Sequence, residues 1–297
     1  MQRNFPLALL VLFLCQPVLM VQAEATANDT LIPPDAWYHF EIGPELFHYY
    51  YEEPGLMDME GWLVGVDARF TWISPRLRQI QQPGSSPDAA PEVILRQQNL
   101  IIHLHGRYAF GKTDYDGALL DEFMTPYQIN GIDTTTYELR AVAGYAPFVT
   151  DQSYTAFFIG FGYRFKDDDS SFDPAGYKRE STYRYIPLVI EHHRHMANGL
   201  AWSFSIEYDH LTSGEQVSTL PNLPGINKRQ RSGYGLRGAV ALHGTTAQFD
   251  WRVEPFIRYW DIADSDSVFL RTREGILEVF EPANTTLEIG LSTRVVF

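Results

Sequence analysis

Residues 284–297 read NTTLEIGLSTRVVF, and their alternation decides the fold. Counting back in twos from Phe297 gives Val295, Thr293, Leu291, Ile289 and Leu287; the intervening set is Val296, Arg294, Ser292, Gly290, Glu288 and Thr286. An apolar set and a polar set that alternate singly are the two faces of a β-strand. The same code recurs upstream. Trp62, Val64, Val66, Ala68, Phe70 and Trp72 alternate with Gly65, Asp67, Arg69 and Thr71. Phe157, Ile159, Phe161, Tyr163 and Phe165 oppose Gly160, Gly162 and Arg164. Aromatic residues at both ends of an apolar face fit a strand that crosses two membrane interfaces with its polar face turned inward.

Working outward, alternating segments fall at 36–53, 61–73, 99–111, 135–146, 153–166, 181–195, 200–211, 230–243, 249–259 and 284–297. They predict an all-β chain, a transmembrane antiparallel up-and-down β-barrel of about ten strands, an even number that brings both termini to the periplasm. Short turns at 147–152, 196–199 and 243–247 alternate with long polar stretches at 112–134, 167–180, 212–229 and 261–283. That asymmetry puts the short turns in the periplasm and the long loops outside. The segment 74–98, rich in Pro, Gln and Ser and with a short helix expected near 91–97, falls on the periplasmic side. It is either an excursion or two weak strands of a barrel of about twelve. Pro44 and Pro255 lie inside strands and are expected at bulges, and Pro187 sits within a weaker pattern.

The amino terminus carries Arg3 as its one charge, then the apolar run 7–14, then small residues at Ala23, Ala25 and Ala27. This is the plan of a secretory signal peptide over 1–23, too short to span as a helix. It leaves one barrel domain at 24–297. Cys15 follows Leu14 where a lipoprotein signal wants a small residue, and cleavage after Ala23 removes this single cysteine, so no disulfide framework is expected. Cleavage also removes Arg3, leaving 22 Lys+Arg against 37 Asp+Glu, or 22 − 37 = −15. Such acidity argues against a nucleic-acid partner. A mean hydropathy of −0.21 beside 14% aromatic residues suits a barrel, which hides its apolar face in every second position.

The polar faces carry Asp67, Arg69, His103, His105, Arg107, Glu138, Arg140, Arg164, Glu207, Asp209, Arg237, Asp250, Arg252, Glu254, Arg258, Glu288 and Arg294. Buried charges need partners, so both signs on most strands predict an ion-paired network filling the lumen, with a narrow pore as the alternative. His193 and His195 share a strand face that a metal could use, but with His192 they abut a turn and read as interface histidines. The acidic stretches 167–173 and 261–267 lack calcium-loop spacing. No metal or cofactor is expected. Asp114 and Asp116 follow one strand, and Asp209 and His210 end another. Adjacent strand residues point to opposite faces, so Asp209 would not orient His210.

The segments GFGYRF at 160–165, STYRYIPL at 181–188, EYDHL at 207–211, SGYGLRG at 232–238, EPFIRYWDI at 254–262 and EPANTTLEIG at 281–290 together resemble a family of Gram-negative outer-membrane β-barrel proteins without an assigned activity. The resemblance implies fold and outer-membrane location and no catalytic residues. A strand closing on Phe297 resembles the carboxy-terminal signal read by the barrel assembly machinery, and implies outer-membrane lipids and lipopolysaccharide as further partners. A weaker resemblance is to the omptin proteases, which place acidic pairs and an Asp-x-His dyad at the extracellular rim, and it implies Asp114, Asp116, Asp209 and His210 as the candidate catalytic residues of a surface hydrolase. This chain departs from that pattern, because Asp209 and His210 are adjacent. The reading reached is a surface or envelope protein with a filled lumen, a ligand for its loops unnamed, with narrow-pore transport or surface hydrolysis as alternatives.

Overall fold

The structure, a computed structural model, describes residues 37–74, 100–119, 124–150, 152–196, 199–219, 225–271 and 275–297. The expected signal peptide, Cys15 and residues 75–98 of the expected excursion lie outside these. The strands are β1 (Trp37–Glu53), β2 (Met57–Ile73), β3 (Leu100–Ala118), β4 (Pro126–Val149), β5 (Ser153–Asp169), β6 (Lys178–His195), β7 (Ala201–Thr219), β8 (Ile226–Gln230), β9 (Gly233–Thr245), β10 (Asp250–Ile262), β11 (Val268–Arg271), β12 (Ile276–Val279) and β13 (Asn284–Val296). Among the described residues, neighbours pair antiparallel in the order β1 to β7, β9, β10, β13 and back to β1, a closed wall of ten strands. The opening stretch, β13, closes it. It lies between β10 and β1, with Glu288 opposite both Arg258 and Tyr49.

Ten strands, and not twelve, follow from one ladder. β2 pairs directly with β3 from Asp58↔Asp116 to Ile73↔Ile101, so no further strand stands between these two. Parity along each strand then separates two environments. On β1, Glu41, Glu45, Phe47 and Tyr49 are buried inside, while Ile42, Leu46 and Tyr38 face out. The outer face is apolar around the ring, as at Val64, Leu104, Leu139, Ile159, Ile206, Val240 and Ile289. A cylinder with this exterior and a charged interior is stable only where hydrocarbon surrounds it and every backbone group is paired within the wall. The chain is a transmembrane β-barrel and resides in the outer membrane.

Two sequence expectations are corrected. The prolines do not mark register shifts. Pro44 pairs in unbroken register with Val66 of β2, and the pairs Ile42↔Val295 and Glu45↔Ser292 on the β13 side belong to one register, interrupted only at Gly43 and Pro44. Pro255 leaves the same gap toward β9 while staying in register with Leu291, and Pro187 leaves one toward β5. A proline removes one donor from one ladder, and the other neighbour holds the strand straight. The register shifts fall at Thr113/Tyr115, Tyr145/Phe148 and Arg184/Tyr185.

The second correction concerns the long polar stretches, which are largely strand. β4 has 24 residues and β3 and β7 have 19 each, against about 9–11 needed to cross a bilayer. The wall therefore continues beyond the membrane on the side away from the short turns. There the outer face meets water while the inner face stays polar, so the buried Thr113 and Thr134 and the exposed Asp114 and Asp133 are all polar, and the alternation in polarity disappears. Above β9 the wall is carried on by β8, which pairs with β7, and by residues 264–266 and 281, joined through Gln230↔Ser265 and the amide of Ser265 donating to the carbonyl of Glu281. A small separate hairpin, β11–β12, stands on this rim.

Candidate functional site

The inward residues form three layers of opposed charge. In the periplasmic layer, Arg69 donates to Glu191 at 2.8 Å, Arg294 meets Glu254 at 2.8 Å and Asp67 at 3.1 Å, and Arg252 pairs with Glu254. Glu41 lies 2.9 Å from His39 and 3.5 Å from Arg294. His105 Nε2 lies 2.5 Å from Asp67, and His103 Nδ1 2.9 Å from the Thr71 hydroxyl.

The middle layer is the most closely knit. Glu288 of β13 accepts from Arg107 at 2.8 Å, Arg164 at 3.0 Å and Arg258 at 3.2 Å. Glu45 accepts from Arg107 and Arg258. Arg237 donates through Nε to Asp209 at 2.6 Å and forks onto Glu138, which also accepts from the Tyr185 hydroxyl. Arg140 pairs with Glu207. The guanidinium of Arg258 sits 3.8 Å above the Phe256 ring and that of Arg107 4.7 Å above Phe47, so aromatic faces cover what the carboxylates leave.

In the extracellular layer Arg179 meets Glu53 at 3.0 Å and lies over the Tyr51 ring. Lys166 meets Asp168 at 2.8 Å between the Tyr49 and Tyr51 rings, and Lys228 meets Glu281 at 2.6 Å. Counted among the described residues, the layers hold Glu41, Asp67, Glu191 and Glu254 against three Arg; Glu45, Glu138, Glu207, Asp209 and Glu288 against five Arg; and Glu53, Asp168 and Glu281 against Lys166, Arg179 and Lys228. Among the described residues the lumen is thus one charge from neutral, in a chain of net charge −14. Between the periplasmic and middle layers is a cavity of about 90 Å³, walled by Arg69, His103, His105, Arg140, Glu191 and Glu207 among others. Arg140 Nε and His105 Nδ1 have no protein hydrogen-bond partner there, which is the polar lining that buried water occupies.

The sequence-based candidates are dispersed. Asp209 is fully buried on Arg237, whereas His210, its neighbour, faces out and stacks on Tyr208 with ring centroids 6.5 Å apart. Asp114 and Asp116 are exposed on the outer face of β3, accepting from the Gly131 amide at 2.8 Å and the Gln128 amide at 2.9 Å. No water could be held jointly by these four. The histidine reading needs correction: His193 points into the lumen, bonded to Glu191 and stacked on Tyr154 at 4.5 Å, while His192 lies outside against Trp202 and His195 is exposed. Among the described residues no group of His, Cys, Asp and Glu could hold a metal. Asp250 sits exposed at the periplasmic rim and takes no part in the network.

Sequence reasoning missed Glu41, Glu45 and Glu191 in the lower layers and the whole extracellular layer. Parity was the available signal: Lys166 and Asp168 continue the even positions of Arg164, and Glu45 the odd positions of Glu41, past Pro44. On the rim, Arg231 donates to Asp266 at 2.8 Å and holds that carboxyl below its ordinary range, tying the end of β8 to the last loop.

No protein-family model matches the chain, and no curated protein matches it in sequence. Solved outer-membrane barrels share the general plan. The outer membrane protease OmpT from Escherichia coli is 11% identical over 89% of this chain and 97% of its own, with a TM-score of 0.48. The translocator domain of the autotransporter NalP from Neisseria meningitidis is 9% identical over 86% and 87%, at 0.37, and the Neisserial surface protein NspA 10% identical over 88% and 97%, at 0.30. At these values no residue role passes from them to this chain.

Proposed function

We propose that the protein is a non-conducting, non-enzymatic barrel whose wall presents an acidic rim at the cell surface, as an envelope or surface component. The observation that carries the reading is the layered ion-pair network. Glu288 ties together Arg107, Arg164 and Arg258, from three other strands, and side chains fill the lumen of a barrel of this size, whereas open aqueous channels belong to walls of about 16 strands. The 90 Å³ cavity lies beneath two further layers of paired charge. A surface role accords with the exposed Asp114, Asp116, Asp133 and Asp266 at the far end of the wall. Planar-bilayer recording of the purified protein tests this: no steady conductance is expected, and a large sustained one would replace the reading with a narrow pore. Peptide hydrolysis by the wild-type protein, lost on Asp116→Ala, would replace it with a surface hydrolase.

A further inference from the structure

On the lipid-facing side of β1–β5 lies a groove of about 520 Å³. Its floor is made of small residues: Ala68 of β2 is paired with Gly106 of β3, and Ala141 of β4 lies on the adjoining row. Leu104 and Leu139 line it, Phe40 and Phe70 stand at one end, and Phe161 and Tyr163 at the other. Two register rows define its course, Phe40↔Phe70↔Leu104↔Ala141↔Phe161 and Ile42↔Ala68↔Gly106↔Leu139↔Tyr163. Five strands are four spacings, roughly 19 Å.

Gly106 is the informative residue. At Gly61, Gly65, Gly111 and Gly160 an added Cβ would run into the backbone of the neighbouring strand, so the wall itself requires glycine. At Gly106 it would meet only Leu139 Cδ2, at 3.3 Å, and the backbone is not left-handed. Glycine inside a strand weakens it, and here wall packing does not demand it. What its missing side chain provides is the depth of the groove.

The rows also climb. Phe40 is three residues from the periplasmic start of β1, beside Tyr38, which stacks on Phe70 at 6.4 Å, whereas Phe161 is eight residues into β5. The groove therefore begins at the periplasmic interface and rises toward the middle of the membrane. It is continuous with the apolar belt that already meets lipid, and the convex wall of a second barrel would not reach its narrow floor. We propose that it seats one acyl chain of a phospholipid whose headgroup rests at the periplasmic interface, so that this sector of the wall is a discrete lipid site.

The probe is a phosphatidylethanolamine with a photoactivatable acyl chain, incorporated with the purified barrel into lipid nanodiscs and followed by peptide mapping. Adducts are expected to concentrate on β3 and β4 around Leu104 and Leu139, and to be lost in Gly106→Leu, which fills the floor and keeps the heat-modifiable gel migration of a folded barrel. Adducts spread evenly around the wall, or unchanged in Gly106→Leu, would overturn the proposal. So would a barrel dimer in the wild type that Gly106→Leu dissociates. Should that variant fail to fold, Ala141→Leu and the wild-type adduct map decide the question.

Discussion

In a wall one residue thick, the parity of a position decides which solvent a side chain meets, and Glu288 shows what that is worth. Buried with three guanidinium groups within 3.2 Å, it is the shared partner of Arg107, Arg164 and Arg258. Removing one member of a buried charge cluster leaves the others unpaired and costs about 3–5 kcal/mol. Glu288→Ala is therefore expected to lower the urea midpoint of barrel unfolding, followed by tryptophan fluorescence in lipid vesicles, and the unfolding free energy from that titration should fall by that amount. Asp266→Ala, which breaks an exposed pair on the rim, serves as the contrast and should leave the unfolding curve nearly unchanged. Equal losses in the two variants would deny the lumen network its structural role.

At the scale of the strand, the extracellular extensions carry like charges directly opposite one another. Glu60 of β2 faces Asp114 of β3, and Asp58 faces Asp116, all on the outer face. Opposed like charges destabilise a cross-strand pair, and opposite charges contribute roughly 0.2–1 kcal/mol. Glu60→Lys should raise the same urea midpoint; an unchanged or lower one would mean that the acidic rows are compensated by groups other than their cross-strand neighbours. These extensions also mark where legibility in the sequence ended. Within the membrane, lipid favours apolar residues on the outward face, so β2, β5 and β13 could be read from alternation alone. Beyond it, Thr113 inside and Asp114 outside are both polar, and the period of two vanishes from the sequence although the strand goes on. Most inward charges of the two lower layers, from Asp67 to Arg294, were legible by parity, with Asp250 wrongly included and Glu191 missed. Which charge pairs with which was not, because Glu288 and Arg164 lie 124 residues apart and meet only across the closed ring.

For the whole molecule, the division of charge has a measurable sign. The lumen groups are paired and buried, and salt screens exposed charges far more than buried ones. Raising ionic strength should leave the lumen pairs intact and, by screening the repulsion among rim carboxylates, keep the resistance of the wild-type barrel to urea unchanged or raise it slightly. A steep loss of stability with salt would place the stabilising pairs on the surface instead. The gap at Gly43 and Pro44 has a mechanical meaning as well. β1 is stitched to β2 without interruption from Trp37 to Glu53, but to β13 by two runs with a break between them. The β5–β6 and β9–β10 seams carry gaps of the same kind, so the cylinder has three weakened lines, and under tension the wall parts along these before the continuously paired seam between β1 and β2 opens.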